Sequence, residues 1–152
     1  MKELRLGKEE LDAIVPHSGR MSFLSGIVDW GENLDWLVCR ARFGEDFLFF
    51  DEEFGGVPSY VGFEFMAQSI AALSGLERYL GGIVEKRIGY IMGVRNYKAR
   101  GKTLPPNEDF EIRIEEILRN GPVVSYRCGI DLAGDTISEG IINAFEPERG
   151  EE

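Results

Sequence analysis

The spacing of hydrophobic residues changes along this chain, and the change predicts one long helix among several strands. The segment 59–80 is apolar on almost every side for about four turns, and Gly81-Gly82 follows it as a stop signal. A helix without a polar face is expected to be buried, and this one is too short and too interrupted to span a bilayer. The Ser59 hydroxyl is predicted to cap its N-terminus by accepting a backbone hydrogen bond.

Shorter elements flank this central helix. A short helix is predicted over 7–15, and strands are predicted over 21–30, 34–43, 87–98, 109–118, 122–132 and 136–145. Asn120-Gly121 and Ala133-Gly134 are typical of the turns that join the last three strands. Because no second layer of helices is available, the sheet itself must cover the apolar helix. The pattern therefore predicts an α+β fold of the hotdog type, in which an antiparallel sheet wraps around one long central helix.

Length and composition indicate one domain. The 152 residues are enough to bury a core, so we expect a single domain over 1–147 and a charged, disordered tail over 148–152. The sequence has neither a signal-peptide pattern nor a membrane-length apolar run, which predicts a cytoplasmic protein that does not enter a membrane. Cys39 and Cys128 lack the spacing of metal ligands, so they are expected to be reduced thiols, and no metal site is predicted.

Charge is distributed unevenly along the chain. The formal net charge of −10 argues against a nucleic-acid partner. The segment 86–102 nevertheless contains no acidic residue, and its basic residues are Lys86, Arg87, Arg95, Lys98, Arg100 and Lys102. Such a segment is either a solvated strand and loop in which charges cluster by chance, or a surface reserved for an acidic ligand or partner.

Two titratable residues are candidates for chemistry. Glu64 is a lone carboxylate within the apolar helix, and Gln68 follows it one turn later on the same side. An unpartnered buried charge costs roughly several kcal/mol, so Glu64 must be paired, protonated or used in a reaction. His17, the only histidine, follows Pro16 in a loop. Each residue also has a structural explanation: a carboxylate satisfied by backbone or by a loop cation, and an ordinary surface or capping histidine.

Together these residues resemble a known family. Pro16-His17 after a short helix, and Pro58 followed by Glu-Phe-Met-Ala-Gln over 64–68, resemble the 3-hydroxyacyl-[acyl-carrier-protein] dehydratases of the hotdog superfamily. The segment 55–75 is most similar to the branch associated with aryl polyene clusters. The resemblance implies that His17 removes the α-proton of a 3-hydroxyacyl thioester and that Glu64 assists departure of the 3-hydroxyl group as water. The division of acid and base roles between them stays open.

The resemblance also implies supporting roles at the start of the helix. The backbone amide of Ser59 would stabilise an enolate-like oxyanion, and the small size of Gly62 would ease the approach of the thioester. Gln68 would hold Glu64 in place. For Gly62 and Gln68, close packing is the alternative explanation.

The implied substrate is carried on the phosphopantetheine arm of an acyl carrier protein, so no separate cofactor is expected. Because carrier proteins are acidic, a docking surface is predicted at Arg95, Lys98, Arg100 and Lys102. Related hotdog proteins pair two chains to extend the sheet, and the histidine and carboxylate of one site come from different subunits. We therefore expect a homodimer, or a heterodimer with another hotdog subunit.

Two departures from the family pattern leave alternatives open. A phenylalanine-rich acidic connector over 44–54 replaces the usual segment before the helix, and Ser18-Gly19-Arg20 replaces the usual loop after the histidine. The connector is expected to pack on the core or on a subunit, with a ligand lid as the alternative.

The expected function is dehydration of 3-hydroxyacyl thioesters to trans-2-enoyl thioesters in fatty-acid-like or polyene biosynthesis. The alternatives are a hotdog acyl thioesterase, and a non-catalytic subunit that binds acyl chains and completes a partner dehydratase. Acyl chain length and the choice between aryl and alkyl substrates stay open.

Overall fold

A six-stranded antiparallel sheet wraps around one long helix in the computed structural model, which describes residues 2–17, 19–82 and 89–146. The elements, in chain order, are α1 (Lys8–Ile14), β1 (Gly26–Trp30), β2 (Trp36–Ala41), β3 (Val57–Pro58), α2 (Gly62–Leu80), β4 (Tyr90–Ala99), β5 (Thr103–Leu104), β6 (Phe110–Asn120), β7 (Val123–Leu132) and β8 (Asp135–Phe145). The main sheet has the order β1-β2-β6-β7-β8-β4, and β3 pairs with β5 separately. The predicted hotdog architecture is confirmed.

Tight turns set the register of the long strands. Gly121 lies between β6 and β7 with a φ of 62°, and Ala133 and Gly134 lie between β7 and β8 with φ of 51° and 86°. Left-handed backbone in a short hairpin turn matches the right-handed twist of the flanking strands. Both predicted turns are present, and they hold β6, β7 and β8 side by side along most of their length.

The inner face of the sheet packs against α2. In β6, the buried residues Phe110, Ile112 and Ile114 alternate with exposed Arg113 and Glu115. Buried apolar residues along α2 belong to the same core cluster. One face of β6 is therefore exposed to solvent and the other covers the helix, as the alternation predicts.

The phenylalanine-rich connector packs on this core. The Phe47 ring lies 4.9, 5.2 and 6.0 Å from the rings of Phe23, Phe43 and Phe65, measured between centroids. Aromatic pairs of this kind contribute about 0.5–1.5 kcal/mol each beyond their burial. The connector thereby joins the loop before β1 to the first turn of α2, so the prediction of packing on the core is confirmed.

The ends of two elements differ from the prediction. A 3₁₀ turn over Ser59–Val61 precedes α2, and the Ser59 hydroxyl donates to the Gly101 carbonyl oxygen at 2.7 Å instead of capping the helix. The predicted Ser59 cap is therefore wrong, because this hydroxyl joins the start of α2 to the segment before β5. Gly19–Met21 also form a 3₁₀ turn, so the first strand begins later than predicted, at Gly26.

The buried thiols and the chain end complete the description. Cys39 and Cys128 are free and buried, and burial raises the pKa of each thiol to about 12. Such thiols are poor nucleophiles at neutral pH.

No helix in the described ranges is long and apolar enough to cross a bilayer. The predicted tail over 148–152 lies outside the described residues, so the domain boundary stays a prediction.

Candidate active site

Close packing between the two helices sets the position of His17. A Cβ atom on Gly75 of α2 would collide with the backbone oxygen of Ile14 at the end of α1. Because glycine has no Cβ, the two backbones can touch, and Pro16-His17 then follows directly beside α2. The sequence pattern does not single out Gly75. Its one signal is a glycine inside a helix where larger residues would be more stable.

Gln68 joins the segment after His17 to α2. It is only 2% exposed, and its Oε1 accepts from the Phe23 N–H at 2.9 Å. Its Nε2 donates to the Met21 carbonyl oxygen at 2.8 Å and to Glu64 Oε1 at 3.2 Å. The predicted contact between Gln68 and Glu64 is present, and Gln68 is also packed in the core. Its role in a reaction stays a prediction.

His17 and Glu64 face each other across a short gap. His17 Nε2 lies 3.9 Å from Glu64 Oε1, which is longer than a hydrogen bond, so each group can face a ligand. The Glu64 side chain is 34% exposed, so the carboxylate is only partly buried, whereas the apolar helix predicted a buried one. Both groups belong to one chain. No second chain is needed to bring these two groups together. The expectation that the two groups of one site come from different subunits of a dimer stays a prediction.

The two ring nitrogens of His17 differ in access. Nδ1 is buried and has no hydrogen-bond partner within the described part of the chain, whereas Nε2 faces Glu64. A buried ring nitrogen cannot reach a ligand. Nε2 is therefore the nitrogen that can exchange a proton with a bound molecule.

A cavity of about 180 Å³ adjoins this pair. Its lining residues are Pro16, His17, Glu64, Ala67, Ile70, Ala71, Ser74, Gly89, Tyr90, Ile91, Ala144 and Glu146. The α2 residues among them extend from Glu64 to Ser74, which is about 15 Å along a helix that rises 1.5 Å per residue. Because small and branched apolar side chains form most of the wall, the cavity suits an apolar chain that starts at a polar pair.

A second carboxylate, Glu146, also lines the cavity and was not among the predicted site residues. Tyr126 Oη donates to Glu146 Oε1 at 2.6 Å, and Arg119 Nη2 lies 3.5 Å from Glu146 Oε2. Burial raises the pKa of the Glu146 carboxyl, against the opposing effects of the tyrosine and the arginine. The signal in the sequence is alternation: buried Ala144 is two residues earlier, so Glu146 continues the inward-facing row.

The two residues predicted to act at the start of α2 both contact other parts of the fold. The Ser59 N–H donates to the Lys102 carbonyl oxygen at 2.9 Å, so this amide is occupied, and the prediction that it faces an oxyanion is wrong. A Cβ atom on Gly62 would collide with Tyr97 Oη and press on Ile130. Close packing therefore explains why this position is glycine, and a role of its small size in thioester approach stays a prediction.

Comparison with protein families gives a match over almost the whole chain. The ApeP-like model, described as ApeP dehydratase, matches residues 9–152. The chain belongs to the ApeP-like dehydratase family. This confirms the resemblance to hotdog dehydratases of the branch associated with aryl polyene clusters. A search of curated proteins found no match.

Solved structures share the fold of this ApeP-like chain at low sequence identity. A chain of the dehydratase heterocomplex ApeI:P from Xenorhabdus doucetiae is 21% identical, with a TM-score of 0.82 and 93% of both chains covered. Cj0977, a sigma28-regulated virulence protein from Campylobacter jejuni, is 10% identical, with a TM-score of 0.67 over 93% of this chain and 90% of its own. A putative thioesterase from Ralstonia eutropha is 10% identical, with a TM-score of 0.59 over 78% and 82%. These likenesses establish the fold.

The basic residues predicted to dock a carrier protein lie on the surface of this ApeP-like chain. All four are exposed, namely Arg95, Lys98, Arg100 and Lys102. The carbonyl oxygens of Gly101 and Lys102 accept hydrogen bonds from Ser59, so this end of the basic segment lies beside the start of α2. Lys86 and Arg87 lie outside the described residues. Docking stays a prediction.

Proposed function

We propose that this chain removes water from 3-hydroxyacyl thioesters carried on the phosphopantetheine arm of an acyl carrier protein, and gives trans-2-enoyl thioesters. The observation that supports this most directly is the separation of 3.9 Å between His17 Nε2 and Glu64 Oε1, beside a cavity with apolar walls. An imidazole and a carboxyl group in this arrangement can accept one proton and supply another to the same bound chain. The product would serve fatty-acid-like or polyene biosynthesis.

The proposed reaction consists of two proton transfers and one bond cleavage. His17 Nε2 takes the proton from C2 of the substrate, and the electron pair of that C–H bond forms the C2=C3 double bond. The C3–O bond breaks, and the leaving hydroxyl group takes a proton from the protonated form of Glu64 and departs as water. Transfer of a proton from His17 back to Glu64 then restores the starting state.

Neighbouring residues support this chemistry by holding the two groups in place. Gln68 bonds both to Glu64 and to the segment after His17, so one side chain connects the two parts of the site. Groups that are already positioned lower the barrier, because they need not be brought together during the reaction. We propose Gln68 as a positioning residue and assign it no contact with the reacting atoms.

We propose that the carrier protein docks on Arg95, Lys98, Arg100 and Lys102. Their positive charge is complementary to an acidic carrier protein. The contact between Lys102 and Ser59 supports this site, because Glu64 follows Ser59 within two turns of helix. The proposed chemistry needs no cofactor besides the phosphopantetheine arm.

We propose a second hotdog subunit as partner in the cytoplasm, either another copy of this chain or a different subunit. β4 is an edge strand of the main sheet, and it exposes Tyr90, Met92 and Val94. Unpaired backbone groups and exposed apolar side chains on an edge strand can extend a sheet into another chain. ApeI:P from Xenorhabdus doucetiae is a dehydratase heterocomplex, which supports pairing with an unlike subunit.

One assay tests the proposed reaction. A 3-hydroxyacyl-carrier protein incubated with the native assembly should lose the mass of one water. His17→Ala and Glu64→Gln should each lower the rate by about 10²–10⁴-fold, since each removes a proton-transfer group.

Two other results would contradict the proposal. Release of free thiol without enoyl product would favour a thioesterase, the activity named for a structural neighbour. Unchanged dehydration by an assembly that carries either variant would favour a non-catalytic subunit that completes the site of its partner.

A further inference from the structure

The cavity beside His17 and Glu64 has a second polar part. Ser74 and Glu146 line it, separated from the first pair by apolar residues such as Ile70 and Ala71. Gly62 at the start of α2 lies against Ile130, near one end of the β7–β8 pair, whereas Glu146 follows Phe145 at the opposite end, where Phe145 pairs with Val123. Ser74 lies about 15 Å along the helix from Glu64. The cavity therefore has polar groups at both ends and an apolar wall between them.

Glu146 is held in a defined orientation. Tyr126, which is 2% exposed, donates from Oη to Glu146 Oε1 at 2.6 Å. Arg119 Nη2 lies 3.5 Å from Oε2, and the Glu146 N–H donates to the Pro122 carbonyl oxygen at 2.7 Å. The Glu146 side chain is 14% exposed. A carboxylate can accept about four hydrogen bonds, so the side that lines the cavity has acceptor capacity left.

The end group of a bound chain decides whether the Glu146 carboxylate keeps a hydrogen-bond donor on its cavity side. A chain that ends in a methyl group would displace water from Glu146 without replacing its hydrogen bonds, which is unfavourable for a buried polar group. A chain that ends in a hydroxyl group would donate a hydrogen bond to it. The loss in the first case and the gain in the second both favour the hydroxyl-terminated chain.

We propose that Glu146 binds a hydroxyl group at the far end of the acyl chain, and that the cavity selects hydroxyl-terminated over methyl-terminated chains. This assignment rests on the proposed dehydratase function and names the substrate class of the same site. Glu146 acts on binding and specificity, at a distance from the C2–C3 bond.

A structural role for Glu146 alone makes a different prediction. Tyr126 of β7 and Arg119 of β6 both contact Glu146, so the carboxylate also ties strand ends together. A carboxylate with only this role would affect all chains equally. A binding carboxylate changes the ratio of affinities between the two kinds of chain end.

Binding of matched ligands tests the proposal. The probes are unreactive amide analogues of 3-hydroxyacyl pantetheine thioesters, of equal length, that end in CH₂OH or CH₃, in a series of increasing length. Calorimetry gives the Kd of each. At lengths that reach Glu146, the hydroxyl-terminated probe should bind about tenfold or more tightly, as expected for a hydrogen bond to a charged group. Equal Kd values at every length, or tighter binding of the methyl-terminated probe, would overturn the proposal.

Two substitutions and a control assign the preference to Glu146. Glu146→Leu should bring the ratio of Kd values to about one or invert it. Glu146→Gln can still accept from Tyr126, so it keeps the strand contact and should reduce the ratio several-fold. Glu116→Gln removes another carboxylate partner of Arg119, outside the cavity lining, and should leave the ratio unchanged. An unchanged ratio in Glu146→Gln, or an equal loss in Glu116→Gln, would refute the assignment.

Turnover of the corresponding thioesters separates this proposal from the proposed function. If the native assembly dehydrates neither thioester, the dehydratase function fails, and the ratio of Kd values still decides the role of Glu146. If both thioesters bind equally and are dehydrated with equal kcat/KM, the dehydratase function stands and the terminal-hydroxyl proposal fails.

Discussion

At the scale of single residues, Gln68 connects the candidate catalytic residue Glu64 to the backbone of the segment after His17. Its one side chain contacts Glu64 and two backbone groups of the segment after His17, at Met21 and Phe23. Without it, these groups would lose this partner, and a buried polar group left unpaired, such as the Phe23 N–H, costs about 1–3 kcal/mol. The stability of the fold and the geometry of the site therefore depend on the same amide.

Gln68→Leu keeps a side chain of similar size and removes all three hydrogen bonds. We expect the free energy of unfolding to fall by about 2–4 kcal/mol. We expect kcat/KM for dehydration to fall about tenfold or more, because Glu64 and the segment after His17 lose the side chain that connects them. Denaturant titration and steady-state kinetics measure the two effects.

Ser69→Ala is the control for Gln68→Leu. It removes the hydrogen bond from the buried Ser69 hydroxyl to the Phe65 carbonyl oxygen on the same helix, and Ser69 does not line the cavity. Its kcat/KM should match that of the unaltered chain. A loss as large as that of Gln68→Leu would argue against a positioning role for Gln68.

At the scale of elements, the position of His17 depends on a helix that could not form alone. α1 has seven residues, and isolated helices of that length are unstable in water. Its place is set by contact with α2 at Gly75 and by Lys8, whose Nζ donates to the Leu24 carbonyl oxygen at 2.6 Å. Packing between elements therefore positions the loop that carries His17, and the intrinsic helix preference of α1 contributes little.

Gly75→Ala tests this packing. Alanine favours a helix by about 1 kcal/mol over glycine, but the new Cβ would collide with the Ile14 backbone oxygen, which cannot rotate away. The cost of the collision should exceed the gain in helix preference. We expect a net loss of about 1–3 kcal/mol in unfolding free energy and a lower rate of dehydration. Gly93→Ala in β4, where a Cβ would meet no atom within 4 Å, is the matched control and should change stability by less than about 1 kcal/mol. Equal Tm values for the two variants would show that α1 does not need Gly75.

The scale of elements also shows what a sequence can predict. Alternation in β6 and the Asn120-Gly121 turn have local causes, so local patterns predicted them. His17 was singled out as the only histidine and Glu64 as a lone carboxylate in an apolar helix, and a resemblance between motifs then joined the two. The prediction for the Ser59 amide failed because its partner, Lys102, comes from a distant part of the chain that only the folded sheet brings near. The contact between Gly62 and Tyr97 could not be predicted for the same reason.

Glu146 illustrates the opposite error. Its alternation with Ala144 was readable, but the last strand was predicted to end at residue 145, so Glu146 was not placed on its inward-facing side. Whether a charged residue at a strand end is buried depends on the partners across the sheet. Here those partners are Tyr126 and Arg119, which sequence alone does not place.

At the scale of the whole molecule, charge divides the chain into an acidic body and a basic segment. The net charge is −10, yet the exposed residues Arg95, Lys98, Arg100 and Lys102 lie together in sequence near the start of α2. An acidic carrier protein would be repelled by most of the surface and attracted to this segment. Such a pattern orients an encounter more than it strengthens it.

Charge reversal tests the docking proposal. Arg95→Glu combined with Lys98→Glu should raise KM for an acyl-carrier-protein substrate by about tenfold or more at low salt, and should spare a small thioester mimic. The same reversal at Lys2 and Arg127, which pair with Asp29 and Glu115, is the control and should affect both substrates little. The difference should shrink as ionic strength rises. Equal losses on the carrier-protein substrate and the mimic would rule out docking at this segment.

The presence of His17 and Glu64 in one chain has a consequence for how assemblies of such subunits could evolve. A site shared between two copies is lost from both when either copy loses its residue. If the pair of one chain acts together, as in the proposed reaction, a duplicated gene can diverge: the second copy can lose its histidine, keep only the pairing surface and leave the first copy active. Selection would then act on the two copies separately. The absence of a Pro-His loop from a partner subunit would show that this copy no longer needs a histidine of its own.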